Sequence, residues 1–141
     1  MTLTEMLIGK AEKITALPEK ELEISRLSEL CGEPFKIRIK ALPLSVYDAM
    51  PKEESVRTYT LLRGIISPSL SDEALRRAYT PKGRKNPITA KELAEKLFLA
   101  GEIANIASEI LALSGFNEDA VKNVNTELEL ENLATEAALK N

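Results

Sequence analysis

The sequence predicts an α+β fold that is mostly α-helical, with a small N-terminal β-hairpin packed on a bundle of about four to six helices. Apolar residues recur mainly at spacings of three and four, as on helix faces. Two stretches in the first third of the chain instead alternate apolar and charged residues, which is typical of half-buried strands. Aromatic residues make up only 4% of the chain, so aliphatic side chains must fill the core.

The domain organisation predicted from length and composition is simple. A chain of 141 residues fits one domain. We assign residues 1–122 to a single globular domain, within which residues 1–18 form a helix that frays. Residues 123–141 are acidic and only weakly periodic, and we expect either a flexible tail or a helix that orders on a partner.

The N-terminal third contains the predicted first helix and the hairpin. Thr2 and Glu5 have the spacing of a capping box, and apolar residues at helical spacing follow up to Pro18, which predicts a helix over about 3–16. The alternating stretches predict strands over about 21–28 and 34–41, with a Gly- and Pro-containing turn between them. Glutamates of the first strand would then face basic residues of the second.

The middle of the chain contains two further predicted helices. Pro51 is placed to start a helix of about 53–66, whose buried face is predicted to comprise Val56, Tyr59, Leu62 and Ile66. Ser71 is expected to cap a short helix of about 72–79. A loop follows, and between Arg76 and Lys85 it contains five basic residues and no acidic ones. A solvated connector is the favoured interpretation of this loop, and a nucleic-acid contact is the alternative.

Residues 89–116 carry the strongest helical pattern. Thr89 and Glu92 form a predicted capping box, and Gly115 is a predicted C-cap. Gly101 predicts a kink, or two helices of about 89–98 and 101–114. Two apolar stripes run along this segment: Leu93, Leu97, Ala100, Ala104, Ala107 and Leu111 form one, and Ile103, Ile106, Ile110 and Leu113 the other. Either the segment is a core element covered on both sides, which is the favoured interpretation, or one stripe is partly open for a partner.

The composition argues against catalysis. There is no histidine and only one cysteine, Cys31, so a Ser/His/Asp triad and the common zinc sites cannot form. The six glycines are scattered singly, without a phosphate-binding loop. We therefore expect a binding protein that is not an enzyme and has no cofactor or metal. The absence of a long apolar run and the net charge of −3 predict neither a membrane span nor attraction to nucleic acid.

Several short motifs of the sequence together resemble those of a known family. They are Arg26-Leu27-Ser28 with Gly32-Glu33-Pro34, Pro68 with Leu70, Thr89-x-x-Glu92-Leu93 with Leu97, Gly101-Glu102-Ile103, and Ser114-Gly115-Phe116. Their order and spacing over about residues 20–122 resemble the XkdN-like tail assembly chaperones of long-tailed bacteriophages and prophages. The sequence departs from the family pattern at Ala100, where a proline is expected, and at 82–86, which resembles a local insertion.

The resemblance implies a non-enzymatic protein in the cytoplasm of the bacterial host. Such a chaperone would bind the tape measure protein, keep it soluble until tail tube subunits polymerise around it, and be absent from the mature virion. The tail tube protein and a second copy of the chain are further candidate partners, and tail chaperones are often also made as a longer frameshifted product. A small nucleic-acid-associated regulator and a structural tail component are the alternative functions.

A partner helix with an apolar stripe would need a groove of aliphatic side chains. We predict that the second stripe forms one wall of that groove and the 53–66 helix the other, with the tail contributing further contacts. The predicted partner-binding residues are Val56, Leu62, Ile103, Ile106, Ile110, Leu113, Leu130 and Leu133.

Overall fold

A computed structural model describes residues 1–124 of the chain. This part contains eight helices and three strands, which confirms the predicted α+β class. In chain order they are α1 (Leu3–Gly9), α2 (Ala11–Thr15), β1 (Glu19–Glu23), α3 (Ser25–Cys31), β2 (Lys36–Lys40), α4 (Leu44–Asp48), α5 (Val56–Gly64), β3 (Ile65–Ser67), α6 (Glu73–Ala78), α7 (Ala90–Leu97) and α8 (Ala100–Leu113). None of the helices within residues 1–124 is long and apolar enough to cross a membrane.

The three strands form one antiparallel sheet in the order β1-β2-β3. The pairing of β1 with β2 sets Glu21 opposite Arg38. The Arg38 guanidinium lies 2.7 Å from a carboxylate oxygen of Glu19 and 3.5 Å from one of Glu21, so glutamates of β1 do face a base of β2 as predicted. Ile37 and Ile39 of β2 are fully buried, and they give this strand the half-buried pattern that the sequence indicated.

The predicted first strand is wrong beyond Glu23, because residues 25–31 form helix α3 and the two strands are not joined by a simple turn. Ser28 accounts for this local structure. Its hydroxyl donates to Glu23 at 2.8 Å and accepts the backbone N–H of Phe35 at 2.8 Å. These two bonds link the helix to the end of β1 and to the start of β2. The helix ends at Gly32, whose φ of 75° favours glycine.

Helix α5 is shorter than predicted and presents a different face to the core. It begins after Ser55 rather than at Pro51, and it ends at Gly64, after which the chain forms β3. Its buried residues are Tyr59, Thr60, Leu61 and Gly64, whereas Val56 is 49% exposed and Ile66 39% exposed. The absence of a side chain at Gly64 lets α5 approach α8 closely, and this approach determines which residues are buried.

The region predicted as kinked or split forms two helices. The reciprocal capping box of Thr89 and Glu92 begins α7 as predicted. The chain then breaks at Phe98 and Leu99, and the Glu102 carboxylate accepts the Leu99 N–H at 2.8 Å to begin α8. Gly115 has a φ of 92°, in agreement with its predicted C-cap role. Helix α6, in contrast, is capped by Asp72 and not by Ser71.

The predicted N-terminal helix is divided into α1 and α2 by a bend at Lys10. The Thr2 side chain caps α1 by accepting the Glu5 N–H at 3.1 Å. None of residues 1–18 is buried. We call residues 1–18 the N-terminal arm.

The core lies between the inner face of the sheet and helices α5, α7 and α8. Its fully buried large side chains are Ile37, Ile39, Leu61, Ile88, Leu93, Ile106 and Ile110. Aliphatic residues therefore dominate the core, as the low aromatic content predicts.

Candidate partner-binding surface

Three of the predicted partner-binding residues lie in the core. Ile103, Ile106 and Ile110 are 9%, 2% and 0% exposed, and Leu113 is half-buried against the same core. The predicted groove between this stripe and the 53–66 helix is not open, because α5 packs directly on α8. The structure thus agrees with the favoured interpretation of 89–116 as a covered core element. Leu130 and Leu133 lie outside the described residues.

A shallow depression lies between β1 and α8, with Ile106 in its lining and a cavity volume of about 360 Å3. Ion pairs surround it. Arg26 contacts Glu102 at 2.9 Å, and Lys20 contacts Glu109 at 2.7 Å. Because these four side chains already pair within the chain, a charged partner bound here would have to compete with existing ion pairs.

The predicted residues Val56 and Leu62 lie on α5, and a second concavity lies on the other side of this helix. This concavity has a volume of about 390 Å3 and lies between α5, β3 and the start of α7. Its lining is mixed: it comprises the polar residues Glu54, Arg63, Ser69 and Ser71 and the apolar residues Tyr59, Leu62, Ile65, Ile66, Leu70 and Ala90. We call it the α5–β3 groove. Val56 lies one turn before Tyr59 on the same helix and is exposed, but it does not line the groove.

Polar contacts fix the wall of the α5–β3 groove that Tyr59 forms. The Tyr59 hydroxyl donates to the Val46 carbonyl, and the Arg63 guanidinium lies 5.4 Å from the centre of the Tyr59 ring. A cation at this distance from an aromatic face is attracted to it. Strand β3 is also an edge of the sheet, so one side of its backbone is not paired by another strand of the described chain. The groove therefore combines an ordered aromatic wall with a sheet edge.

Arg26 occupies a position that the sequence alone does not explain. Its guanidinium donates two hydrogen bonds to Glu102, at 2.9 and 3.1 Å, and a third to the Leu97 carbonyl at 2.7 Å. It therefore joins α3 to both sides of the break between α7 and α8. The hydrogen bond from Arg26 also lowers the pKa of Glu102. Arg26 and Glu102 belong to two of the motifs on which the family resemblance rests. The contact between them shows how these two motifs act together in the structure.

The basic loop is partly neutralised by contacts within the chain. Arg84 binds both carboxylate oxygens of Glu92, at 2.7 and 3.0 Å, and Arg77 contacts Glu73 at 2.9 Å. Arg76 donates to the carbonyl of Ile88 at 3.2 Å. Three of the five bases counted in the sequence thus have partners in the chain itself. This arrangement favours the connector interpretation over a phosphate-binding cluster.

The described residues contain no group of three or more acidic or cysteine side chains that could hold a metal ion. The comparison with known families is more informative. The family described as "Phage XkdN-like tail assembly chaperone protein, TAC" matches residues 52–127, which is more than half of the chain. The chain belongs to this family. No curated protein and no solved structure matches it.

The matched segment of this tail assembly chaperone family spans α5, β3, α6, α7 and α8. It therefore contains every residue that lines the α5–β3 groove. The family role is assembly of the phage tail, which is not a catalytic role, and it implies a phage tail protein as the partner.

Of the six apolar residues in the groove lining, only Leu62 was among the predicted partner-binding residues. Tyr59 and Ile66 were predicted only for the buried face of the helix, and Ile65, Leu70 and Ala90 were not predicted for either role. Ile65 and Ile66 follow Gly64 as a pair of β-branched residues, which is a weak signal for a strand. The sequence contains no signal that would bring this pair next to Leu70 and Ala90, because the contacts join separate elements of the chain.

Proposed function

We propose that this chaperone binds the tape measure protein of its phage in the host cytoplasm and keeps it soluble until tail tube subunits polymerise around it. On this proposal the chaperone leaves when the tube forms and is absent from the mature virion. The observation that carries the proposal is a groove of mixed apolar and polar lining that lies wholly within the family-matched segment.

The partly apolar lining of the α5–β3 groove supports an amphipathic helix as its occupant. Such a helix presents apolar anchors at spacings of three and four, and it would insert them between Leu62 on α5 and Ile66 on β3. Glu54 and Arg63 also line the groove and would face the polar edges of the inserted helix. A helix-rich tape measure protein, as the family resemblance implies, offers many such segments.

The strength expected from this groove fits reversible binding. Fully burying one aliphatic side chain contributes about 1.5–3 kcal/mol, and the groove offers only a few exposed ones. Association itself costs about 4–15 kcal/mol, so one groove gives weak binding. Many chaperone copies along one long tape measure chain would still cover it, and growing tail tube could displace each copy singly.

Co-expression with the tape measure protein tests the proposal. We expect the wild-type chaperone to move the tape measure protein into the soluble fraction and to co-purify with it. The variant Ile66→Glu puts a charge into the α5–β3 groove and should abolish both effects. Leu30→Glu is the matched control, because Leu30 is an exposed apolar residue on α3 and does not line the groove. A tape measure protein that is equally soluble without the chaperone would overturn the proposal.

Mass spectrometry of purified virions tests the expected absence from the mature particle. The chaperone should be missing from virions and present in lysates made before assembly is complete. Its stoichiometric presence in virions would instead identify it as a structural tail component.

A further inference from the structure

Strand β1 forms the edge of the sheet opposite to β3, and one side of its backbone is free. The Ile24 N–H donates to the Phe35 carbonyl at 3.0 Å in the ladder with β2. At the other end of the strand, the Ala41 N–H donates to the Pro18 carbonyl at 2.9 Å. Hydrogen-bonded pairs alternate along an antiparallel ladder, so the even-numbered residues of β1 bond β2. The backbone groups of residues 19, 21 and 23 therefore point away from the sheet.

These outward-pointing groups are open to a further strand. Within residues 1–124, no other backbone group bonds them. The side chains of Glu19, Glu21 and Glu23 are exposed, so the N-terminal arm, which precedes β1, leaves the strand uncovered. An edge in this state offers N–H and C=O groups to an added strand. We call residues 19, 21 and 23, with their outward backbone groups, the β1 edge.

The β1 edge is acidic on the outer face of the sheet. Its three carboxylates share one guanidinium, because Arg38 contacts Glu19 and Glu21, which stay 43% and 56% exposed. Glu23 forms no ion pair within residues 1–124 and accepts a hydrogen bond from the Ser28 hydroxyl. Basic side chains on an added strand would lie directly opposite these glutamates, where opposite charges attract.

A second copy of β1 does not fit this edge. When two such edges pair in antiparallel fashion, the hydrogen-bonded pairs join the outward-facing residues of both strands. All three of these residues are glutamates, so every register sets glutamate opposite glutamate. Like charges at directly opposite positions are destabilising. The edge therefore disfavours its own copy and favours a strand of opposite charge.

The inner face of β1 provides apolar surface beside the edge. Leu22 lies on this face, because it pairs with the buried Ile37. Together with Ile24 and Ile106 it lines the depression between β1 and α8. Because β2 occupies the other side of β1, the depression opens beside the β1 edge. An aliphatic side chain on the inner face of an added strand would contact Leu22 there.

We propose that the β1 edge binds an extended segment of a partner protein in which lysine or arginine alternates with aliphatic residues. The basic side chains of this segment lie against the three glutamates, and its aliphatic side chains lie against Leu22. Strand β2 (Lys36–Lys40) has the same alternation and pairs with β1 from the other side. Backbone hydrogen bonds provide the affinity of such an added strand, and its alternate side chains provide the specificity.

This inference does not depend on tape measure binding at the α5–β3 groove. Strand β1 precedes the family-matched residues 52–127. The strand order also places the β1 edge and β3 at opposite edges of the sheet. The two surfaces can therefore be tested one at a time.

A peptide that copies residues 35–41, with blocked ends, is the probe, because it carries three basic residues alternating with apolar ones. Hydrogen exchange of backbone amides in the full chain is measured with and without an excess of this peptide. We expect the amides of Glu21 and Glu23 to exchange about tenfold more slowly, or more slowly still, when the peptide is present. The amides of Lys20 and Leu22 already bond β2 and should change little. Protection should thus alternate along β1.

Charge reversal tests the recognition of basic residues. The variant Glu21→Lys/Glu23→Lys should bind the basic peptide about tenfold more weakly, or more weakly still. It should gain binding to an acidic peptide, in which glutamate replaces the three basic residues. Glu29→Lys/Glu95→Lys is the matched control, since it changes the net charge equally at exposed positions on α3 and α7. A variant that had merely unfolded would not gain binding to the acidic peptide.

The backbone contribution is tested at Glu21. Glu21→Pro removes an N–H that points away from the sheet and removes no hydrogen bond of the ladder with β2. It should abolish binding of the basic peptide, whereas Glu21→Gln keeps the N–H and should only weaken the binding.

Several results would overturn the inference. Equal affinity of the wild type for the basic and the acidic peptide would do so, as would protection that appears at β3 or does not alternate along β1. Absence of binding to the basic peptide would leave the glutamates with only the role of preventing self-association. Ile66→Glu should bind the basic peptide as the wild type does, so failure of this inference and failure of the proposed function are visible separately.

Discussion

Gly64 on α5 faces Ile110 on α8 with no space between them for a side chain. A Cβ atom placed on Gly64 would lie 2.6 Å from Cδ1 and 2.7 Å from Cγ2 of Ile110. Ile110 is fully buried, so its side chain has no free volume into which to move. This contact closes α5 over the isoleucine stripe of α8, and it leaves the other side of α5 to form the α5–β3 groove.

Gly64→Ala should therefore destabilise the fold. Overpacking a closed core typically costs about 1–3 kcal/mol, and we expect a loss in this range in the free energy of unfolding measured with urea. Gly101→Ala is the matched control, because Gly101 lies in the first turn of α8 with nothing within 4 Å of the added Cβ. It should be neutral or stabilising by up to about 1 kcal/mol. Equal stability of Gly64→Ala and the wild type would contradict the close packing.

Ser114→Ala should also destabilise the fold, by leaving a backbone donor unsatisfied. The Ser114 hydroxyl accepts the Leu42 N–H at 2.8 Å and donates to the Ile110 carbonyl at 2.7 Å. Losing the acceptor for a partly buried N–H costs about 1–3 kcal/mol. Ser45→Ala at an exposed position of α4 should change the midpoint of thermal unfolding little. If both variants unfold at the same temperature, the Ser114 contact does not contribute to stability.

Arg26→Met should lower the melting temperature more than Arg77→Met does. Arg26 makes three hydrogen bonds that join α3 to the α7–α8 break, whereas Arg77 pairs with Glu73 one turn away on a single exposed helix. Methionine keeps much of the side-chain length and removes the charge, so the comparison isolates the polar contacts. Differential scanning calorimetry of the two variants measures the order. The reverse order would show that Arg26 does not join these elements.

Glu92 should make stability depend on pH in the acid range. The hydrogen bond from Arg84, followed by that from the Thr89 backbone, lowers the pKa of Glu92 from 4.5 to about 2. Between these values the unfolded chain binds the proton and the folded chain does not, so the contribution of Glu92 is complete above pH 4.5 and is lost as the pH falls towards about 2. Glu92→Gln should flatten this part of the stability curve, measured by urea unfolding at a series of pH values. Glu95→Gln is the control and should leave the shape of the stability curve unchanged. If the free energy of unfolding falls with pH equally steeply in Glu92→Gln and in the wild type, Glu92 does not have this role.

Local signals of the sequence predicted local structure well. Thr89 with Glu92 and the glycine at 115 act through hydrogen bonds and backbone angles within a few residues, and the structure contains both features. The strand predicted through Ser25–Ser28 failed for the complementary reason. The alternation of Leu22 and Ile24 continued the strand pattern, and it gave no sign of the hydrogen bonds that link Ser28 to Glu23 and to the Phe35 N–H.

The sequence predicted the fold better than it predicted the candidate site. An apolar stripe at helical spacing shows that a face is covered, and it does not show what covers it. Ile110 is covered by α5 because Gly64 permits close approach, and that contact joins residues 46 positions apart in the chain. The assignment of Val56 and Leu62 to a binding surface stays a prediction; Leu62 lines the α5–β3 groove, Val56 does not, and the other wall of the groove comes from β3 and α7.

Hydrogen bonds connect the two ends of the loop between α6 and α7. The Thr80 hydroxyl accepts the Ile88 N–H at 3.0 Å, and Arg76 binds the Ile88 carbonyl, so the chain leaves and re-enters the body of the protein at nearly the same point. Residues added between these two anchors should leave the flanking helices in position, since closing a longer loop adds little entropy cost. We therefore expect that a short epitope or fluorophore peptide inserted between Lys82 and Gly83 leaves the fold intact as long as Arg84 keeps its contact with Glu92.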